Sequence, residues 1–322
     1  MKNDNSIIVS VVVITYNSSK YVIETLESIK DQIYNNIELI ISDDCSTDNT
    51  IEICESWLAD NSKRFVGSKI ITSLTNTGVT ANVNRGVFNC TGEWFKLIAG
   101  DDLLLKDCIS ENVERANEIG EKCSVITSHR LKFKLINNEK IISRPKPKNI
   151  FFHEKLCASD QYQLALRSIC PPPNTLFIKK ESFLSFGGCD ERFPMHEDGP
   201  LTLNLLSNGF KYYWLESDTV LYRIHNQSIY HINTNKSIYR DWVFSSYFPV
   251  YFQYIYPNIS LLEKSIMKYL YHVAILVKRT GLNKYSKTNW LINKILTLPA
   301  EKIRLFLRYY YSKKYEIKVS LL

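Results

Sequence analysis

The sequence lacks any apolar run long enough to cross a membrane. Its first such stretch, Ile7–Thr15, falls far short of the roughly 20 residues a spanning helix needs, and the residues before Ile7 are too polar for a secretory leader. A cytoplasmic protein is expected. Cysteine pairs are lacking too: eight cysteines are scattered without one C-x-x-C, which argues against a zinc site or a disulfide framework and for reduced, mostly buried thiols. Glycine and proline are scarce, at 11 and 10 of 322 residues, and no low-complexity tract occurs, so nothing suggests disorder. No G-x-G-x-x-G follows the first strand and no G-x-x-x-x-G-K-[ST] occurs anywhere, which speaks against dinucleotide and P-loop folds.

What is present is uneven in charge. From Tyr230 onward, fifteen Lys and Arg face four acids, so the first 229 residues carry −4 of the overall +7. The whole basic excess belongs to the tail, which hints at a division of labour between the two parts.

Ile7–Thr15 (IIVSVVVIT) and Ile37–Ser42 (IELIIS) read as strands buried on both faces. Helical spacing follows each, then a short strand near Lys69–Thr72, a turn at Asn76–Gly78, a helix over Ala81–Phe88 and a strand over Trp94–Ile98. This alternation predicts an α/β fold with a mostly parallel central sheet flanked by helices. Val125–Ser128 and Leu131–Ile136 read as two further strands, and the triple proline Pro171–Pro173 as an extended turn. Past about Ser237 the pattern turns helical, with helices expected over Trp242–Tyr254, Leu261–Val277, Trp290–Leu296 and Ile303–Tyr310. The division expected is 1–235 for a catalytic domain and 236–322 for a basic helical extension.

Ligands of such sheets bind beyond the carboxyl ends of the strands, and three of those ends carry Tyr16-Asn17, Asp43-Asp44 and Asp101-Asp102. Adjacent carboxylates leave water cheaply only beside a cation. A hard ion such as Mg²⁺ or Mn²⁺ takes one or two carboxylates and fills its other positions with phosphates; the alternative is an acidic helix N-terminus. At Asp43-Asp44 a carboxylate can accept the imide N–H of a uracil or thymine ring on which Tyr16 stacks, while Ser46 or Asp48 serves as a helix cap. His196-Glu197-Asp198 offers carboxylates and an imidazole for general-base work on a sugar hydroxyl, or a cap for the next helix. Tyr222-Arg223-Ile224-His225-Asn226-Gln227-Ser228 ends a strand pattern with an arginine and a histidine suited to phosphate or ligand contact.

In order along the chain, Val9–Thr50, Asn76-Thr77-Gly78, Asn84-Arg85-Gly86, Thr91-Gly92-Glu93-Trp94, LIAGDDLLL, GGCDERF (Gly187–Phe193), HEDGPL (His196–Leu201) and YRIHNQS resemble the blocks of family 2 glycosyltransferases of the bacterial surface-polysaccharide type. The resemblance implies the A-type nucleotide-sugar fold and an inverting, metal-dependent transfer from a nucleotide diphosphate-sugar, by family habit a UDP-sugar, to a saccharide or lipid-linked saccharide hydroxyl. It implies that Ile14 and Tyr16 contact the base, that Asp44 binds the imide and that Asp101 touches ribose or metal. It further implies that Asp102 binds Mn²⁺ or Mg²⁺, that Asp198 is the base and that His225 is a second metal ligand or diphosphate contact. Arg223 is expected at the nucleotide-sugar, and Asn174, His196 and Glu197 at the acceptor. Two departures stand out: Ala99 replaces a frequent acid two residues before the Asp pair, and Cys189 replaces a frequent aromatic. The competing expectation is a catalytically silent sugar-nucleotide-binding subunit. No nucleic-acid module is recognisable. The tail either packs as plain helices or, through Trp290, Leu291, Ile295, Leu296, Phe306 and Tyr309–Tyr311 among lysines and arginines, rests peripherally on an anionic membrane.

Overall fold

In the computed structural model, residues 7–136, 139–144, 150–169, 173–225 and 237–321 are described. The Asn226–Ser228 end of the fourth cluster, the turn at Pro171-Pro172 and the boundary at Asn235 fall outside them. The chain forms two compact units. The first comprises Met1–Lys148, Cys157–Ser159 and Pro171–Ile224; the second comprises Asn149–Leu156, Asp160–Cys170 and His225–Leu322.

Among the described residues the first unit is built on nine strands: β1 (Val9–Thr15), β2 (Ile37–Asp43), β3 (Gly67–Thr72), β4 (Trp94–Ala99), β5 (Leu103–Leu104), β6 (Val125–Ile136), β7 (Glu139–Ser143), β8 (Phe177–Lys179) and β9 (Tyr212–Arg223). Their order is β3-β2-β1-β4-β8-β6-β9-β5, with β7 on β6. Helices α1 (Val22–Lys30), α2 (Thr50–Asn61), α3 (Val79–Phe88), α4 (Cys108–Ile119), α5 (Ala158–Ala165), α6 (Lys180–Leu184) and α7 (Asp198–Ser207) connect them, α5 passing into the second unit at Asp160.

The first four strands run parallel, as expected from their alternation with helices; the β4–β8, β6–β8, β6–β7 and β5–β9 pairs are antiparallel, so the sheet is mixed. β1 is almost wholly buried and β2 wholly so, because helices cover both faces of a parallel sheet. Each buried Val or Ile there contributes about 1.5–3 kcal/mol. Glu38, an acid inside β2, is tolerated because Ser10 Oγ, the Thr91 N–H and Thr91 Oγ1 donate to it. Burial opposes its charge, but these bonds prevail and hold the carboxyl below the usual range. Thr91 and Gly92 are thus structural: a Cβ on Gly92 would stand 2.6 Å from Ser10 Oγ.

The two strands expected at Val125–Ser128 and Leu131–Ile136 are one strand, β6, interrupted by register shifts at Ser128–Arg130. Such bulges re-aim side chains, and just past this one Arg130 donates to Asn174 Oδ1.

The second unit is helical. Two π-helical segments, Val243–Tyr247 and Tyr251–Ile255, flank a single α-turn, α8 (Phe248–Val250). After them come α9 (Leu261–Arg279) and α10 (Lys287–Leu321). The two final helices expected from the sequence are one helix of 35 residues running through Pro299. No helix among the described residues is long and apolar enough to cross a membrane. Ser260 and Glu263 form a capping box at the start of α9. Glu263 also holds Arg167 through two bonds of 2.9 and 2.8 Å, with Arg167 lying 3.8 Å over the Tyr311 ring. Both partners are buried, so Glu263→Ala is expected to destabilise this unit by about 3–5 kcal/mol, the cost of stranding a buried charge. Chemical denaturation would measure it. The carboxyl is held below its usual range, burial opposing and Arg167 and Ser260 outweighing it. Its stabilisation is therefore present above the unfolded value of 4.5 and lost as pH falls through the lower folded one.

Candidate active site

Parallel register sets the ends of β1, β2 and β4 side by side: Thr15 pairs with Asp43, and Ile14 with both Ser42 and Ala99. The loops beyond are tied together. Asn17 and Cys45 adopt left-handed φ of 50° and 66°, a conformation that costs a non-glycine residue energy and clusters at functional sites. The Asn17 N–H donates to Ser46 Oγ and the Thr47 N–H to Asn17 Oδ1, each at 2.8 Å. Asp43 is fully buried and accepts from Thr15 Oγ1, the Ser46 N–H and Ser46 Oγ. Tyr16 is left 48% exposed at the mouth, a ring free to stack on a base.

Asp44 is 2% exposed. It accepts from the Thr77 N–H at 3.0 Å, Thr77 Oγ1 at 2.6 Å, the Gly78 N–H at 2.6 Å and Arg85 Nη2 at 3.2 Å. Burial works against its charge, and these bonds more than compensate, keeping the carboxyl below the usual range. Asp44 thereby fixes the turn that starts α3. That helix carries the third chain segment to the same place. Thr80 Oγ1 donates to the Phe193 carbonyl at 2.6 Å and the Thr80 N–H to that of Pro194 at 3.2 Å. Asn84 exchanges bonds with the backbone of Cys189 and donates to Glu191. Gly78 sits at φ 91° with its absent Cβ 2.6 Å from Pro194. We expect Gly78→Ala to cost about 1–3 kcal/mol through the left-handed strain alone, and to displace Pro194–Asp198 as well. A lowered melting temperature together with weakened donor binding would check both effects.

His196, Glu197 and Asp198 are all partly exposed. Glu197 precedes α7 but makes no side-chain cap, so the capping alternative does not account for it. Burial, then the neighbouring Asp198 charge, push its carboxyl up to about 7. Asp198 Oδ1 accepts the Gly199 N–H at 2.7 Å, and its other oxygen has no hydrogen-bond partner among the described residues.

Asp101 and Asp102 follow β4. The Gly100 N–H binds the Ile14 carbonyl at 2.9 Å, and a Cβ on Gly100 would meet Thr15 at 2.8 Å. β5 pairs Leu103 with Leu221 of β9, a register that sets Arg223 opposite Asp101. Its N–H donates to Asp102 Oδ1 at 2.9 Å and its Nε to the Asp101 carbonyl at 2.7 Å. The guanidinium is 2% exposed, 3.0 Å from Glu24 and between the Tyr21 and Phe133 rings. Arg223, expected against the nucleotide-sugar, is buried among these partners and supports the Asp101-Asp102 loop through its N–H and Nε. Asn174, expected at the acceptor, donates to Asp102 Oδ2 at 3.2 Å and accepts from Arg130 at 3.0 Å. Lys96 holds the Asn174 carbonyl at 2.9 Å and is pushed down to about 8 by burial.

Lys96 and Arg130 escaped the sequence reading, and Thr77 and Arg85 stood in its motif blocks without a role. Lys96 left a signal, a lysine at an inward position of the apolar strand WFKLIA.

Asp102 is 2% exposed, and burial, then the Asp101 charge, push its carboxyl up to about 7 against the bonds from Arg223 and Asn174. Two hard oxygen donors that repel each other in a low-dielectric position fit a divalent cation, which would relieve both penalties. Among the described residues no three His, Cys, Asp or Glu come together; the chain would thus leave most coordination positions to phosphate and water. His225 lies two residues past Arg223 in the chain and begins the second unit.

Comparison with known proteins places this geometry. The model of glycosyl transferase family 2 matches residues 10–170. Glycosyltransferase GlyG of Streptococcus pneumoniae is 32% identical over 111 residues, 34% of this chain and 36% of that protein. Amylovoran biosynthesis glycosyltransferase AmsB of Erwinia amylovora is 29% identical over 211 residues, 63% of this chain and 65% of that one. The chain thus spans from about a third to just under two thirds of these relatives' lengths. The crystal structure of S. aureus TarS 1-349 in complex with UDP-GlcNAc has a similar fold, with TM-score 0.57 at 16% identity, covering 91% of this chain and 89% of that one. The matched segment is half of the sequence and carries the strand ends, the turn on Asp44 and the Asp101-Asp102 loop, and by it the chain belongs to glycosyl transferase family 2.

Proposed function

We propose that the protein transfers a hexosyl or N-acetylhexosaminyl unit from a UDP-sugar to a saccharide hydroxyl, with inversion, in the synthesis of a surface polysaccharide. The observation that carries this reading is the pairing of two carboxylate sites in one unit. Glu197-Asp198 has no capping duty and leaves one Asp198 oxygen without a partner, and Asp101-Asp102 suits a cation. The AmsB name, which refers to amylovoran biosynthesis, and the UDP-GlcNAc complex of TarS support the polymer and donor classes.

In this reading Tyr16 stacks on the base beside Ile14. Asp44 reaches the imide N–H only by giving up one of its Thr77 or Arg85 bonds; otherwise it acts by holding the Thr77-Gly78 turn. Asp101 and Asp102 would hold a divalent ion, Mn²⁺ or Mg²⁺, which when bound would neutralise charge on the departing diphosphate. Asp198 takes the proton of the attacking hydroxyl through its unpartnered oxygen. Arg223, Asn174, Arg130 and Lys96 keep Asp102 in place, and His196 and Glu197 border the acceptor.

A screen of nucleotide-sugars by thermal shift and hydrolysis, with and without Mn²⁺, tests the proposal. One UDP-sugar should stabilise the protein and be turned over, and chelator should abolish both; indifference to every donor would overturn it. The raised Asp102 and Glu197 carboxyls add a pH signature. A folded value near 7 means that the stability they contribute is complete below their unfolded values and is lost as pH rises through about 7. Without divalent cations the melting temperature should therefore fall between pH 5 and 8, about these shifts. Mn²⁺ should restore part of the loss at the alkaline end, and not in Asp102→Asn.

A further inference from the structure

The second unit holds a cavity of about 300 Å³ that the proposed transfer does not use, lined by the turn after α5, Tyr251, α9 and α10. Its ionic groups are unevenly spent. Arg167 is committed to Glu263, and Glu301 to Lys294 at 2.9 Å. Arg304 and Arg308 also line the cavity, one helical turn apart on α10, where like charges repel. Neither makes a hydrogen bond or salt bridge among the described residues; Arg304 interacts through space with Glu301 and with Tyr251. Tyr251, 7% exposed, lines the same space, and its hydroxyl has no hydrogen-bond partner among the described residues. Burial pushes that phenol up, so it remains a donor at neutral pH. Leu166, Met267 and Leu305 supply an apolar wall.

We propose that this cavity binds a phosphoryl group, with the Arg304 and Arg308 guanidiniums as its cations and the Tyr251 hydroxyl as a further donor. Two planar forks and a phenol suit the several oxygens of a phosphate or diphosphate better than a single carboxylate. The group is either free or the head of a lipid. Leu291, Ile295, Leu298, Leu305, Phe306 and Tyr309 of α10 are exposed, apolar surface that would suit a hydrocarbon chain.

The full chain, in chelator so that Asp101 and Asp102 hold no cation, is titrated with inorganic pyrophosphate by calorimetry. In parallel it is floated with phosphatidylcholine vesicles that contain or lack phosphatidic acid. Saturable pyrophosphate binding identifies a free ligand; flotation only with phosphatidic acid identifies a lipid head group; either supports the site. Binding should fall at least about tenfold in Arg304→Gln/Arg308→Gln and several-fold in Tyr251→Phe. It should persist in Lys287→Gln/Lys302→Gln, which removes equal charge from exposed positions of α10 outside the cavity. The arginine variant relieves a like-charge pair, so its melting temperature should not fall. No binding of either probe, or equal losses in the two double variants, would overturn the proposal. Neither arm depends on sugar transfer, so the site stands or falls apart from the proposed activity.

Discussion

Asp198→Asn is expected to slow sugar transfer by about 10²–10⁴-fold, the usual worth of a positioned general base, with little change in donor affinity. Asp198 is oriented by the Gly199 N–H on one oxygen and leaves the other for an acceptor hydroxyl. Asparagine keeps the shape but cannot take a proton. Donor binding draws on the ends of β1, β2 and β4, so a thermal shift with the nucleotide-sugar should survive while single-turnover transfer collapses. Near-normal turnover in the purified variant would remove Asp198 from the mechanism. Its neighbour sharpens the test. Glu197 is pushed up to about 7 by burial and then by the Asp198 charge, so it gains a negative charge beside Asp198 as pH rises through neutrality. Transfer should therefore change with pH through about 7, and Glu197→Gln should flatten that limb by removing the titrating neighbour.

Asp102→Asn is expected to be at least as damaging, and through another route. The carboxylate lies almost wholly out of water, with Arg223 N–H on one oxygen and Asn174 on the other. Asparagine would present an amide N–H to one of those two donors and remove the charge that suits a cation. Transfer should fall by orders of magnitude, as Lewis-acid stabilisation contributes several kcal/mol, and the thermal response to Mn²⁺ should vanish. The protein should remain folded, because a carboxyl raised to about 7 destabilises the native state at neutral pH and its neutral replacement does not. A folded variant that still transfers sugar and responds to Mn²⁺ would refute the assignment. Arg223→Lys provides a contrast: the backbone bond to Asp102 is kept but the guanidinium between Tyr21 and Phe133 is lost. Its effect should be a looser Mn²⁺ response with partial activity.

Local pattern determined much of this protein. Runs such as VSVVVIT and IELIISD are apolar on both faces because parallel strands covered by helices need them so, and their register then sets Tyr16, Asp44 and Asp101 at neighbouring ends. The carboxylate pairs stood out at the ends of apolar strands, although the sequence left a ligand contact and a helix terminus both open there. Helix endings were less so: two helices were expected over Trp290–Leu296 and Ile303–Tyr310, where α10 runs on through Pro299.

Only the tertiary structure decided which polar groups face a ligand and which serve each other. Arg223 stands in the sequence as a free cation; β5–β9 pairing buries it under Asp101. Asn174 reaches Asp102, Arg85 reaches Asp44, and Tyr251 meets Arg304 across separations that no window of sequence spans. Periodicity reports the face on which a side chain lies, because the backbone repeats every two or 3.6 residues. Partners distant in the chain leave no such repeat, and for a buried charge the partner sets its cost, its protonation and its role.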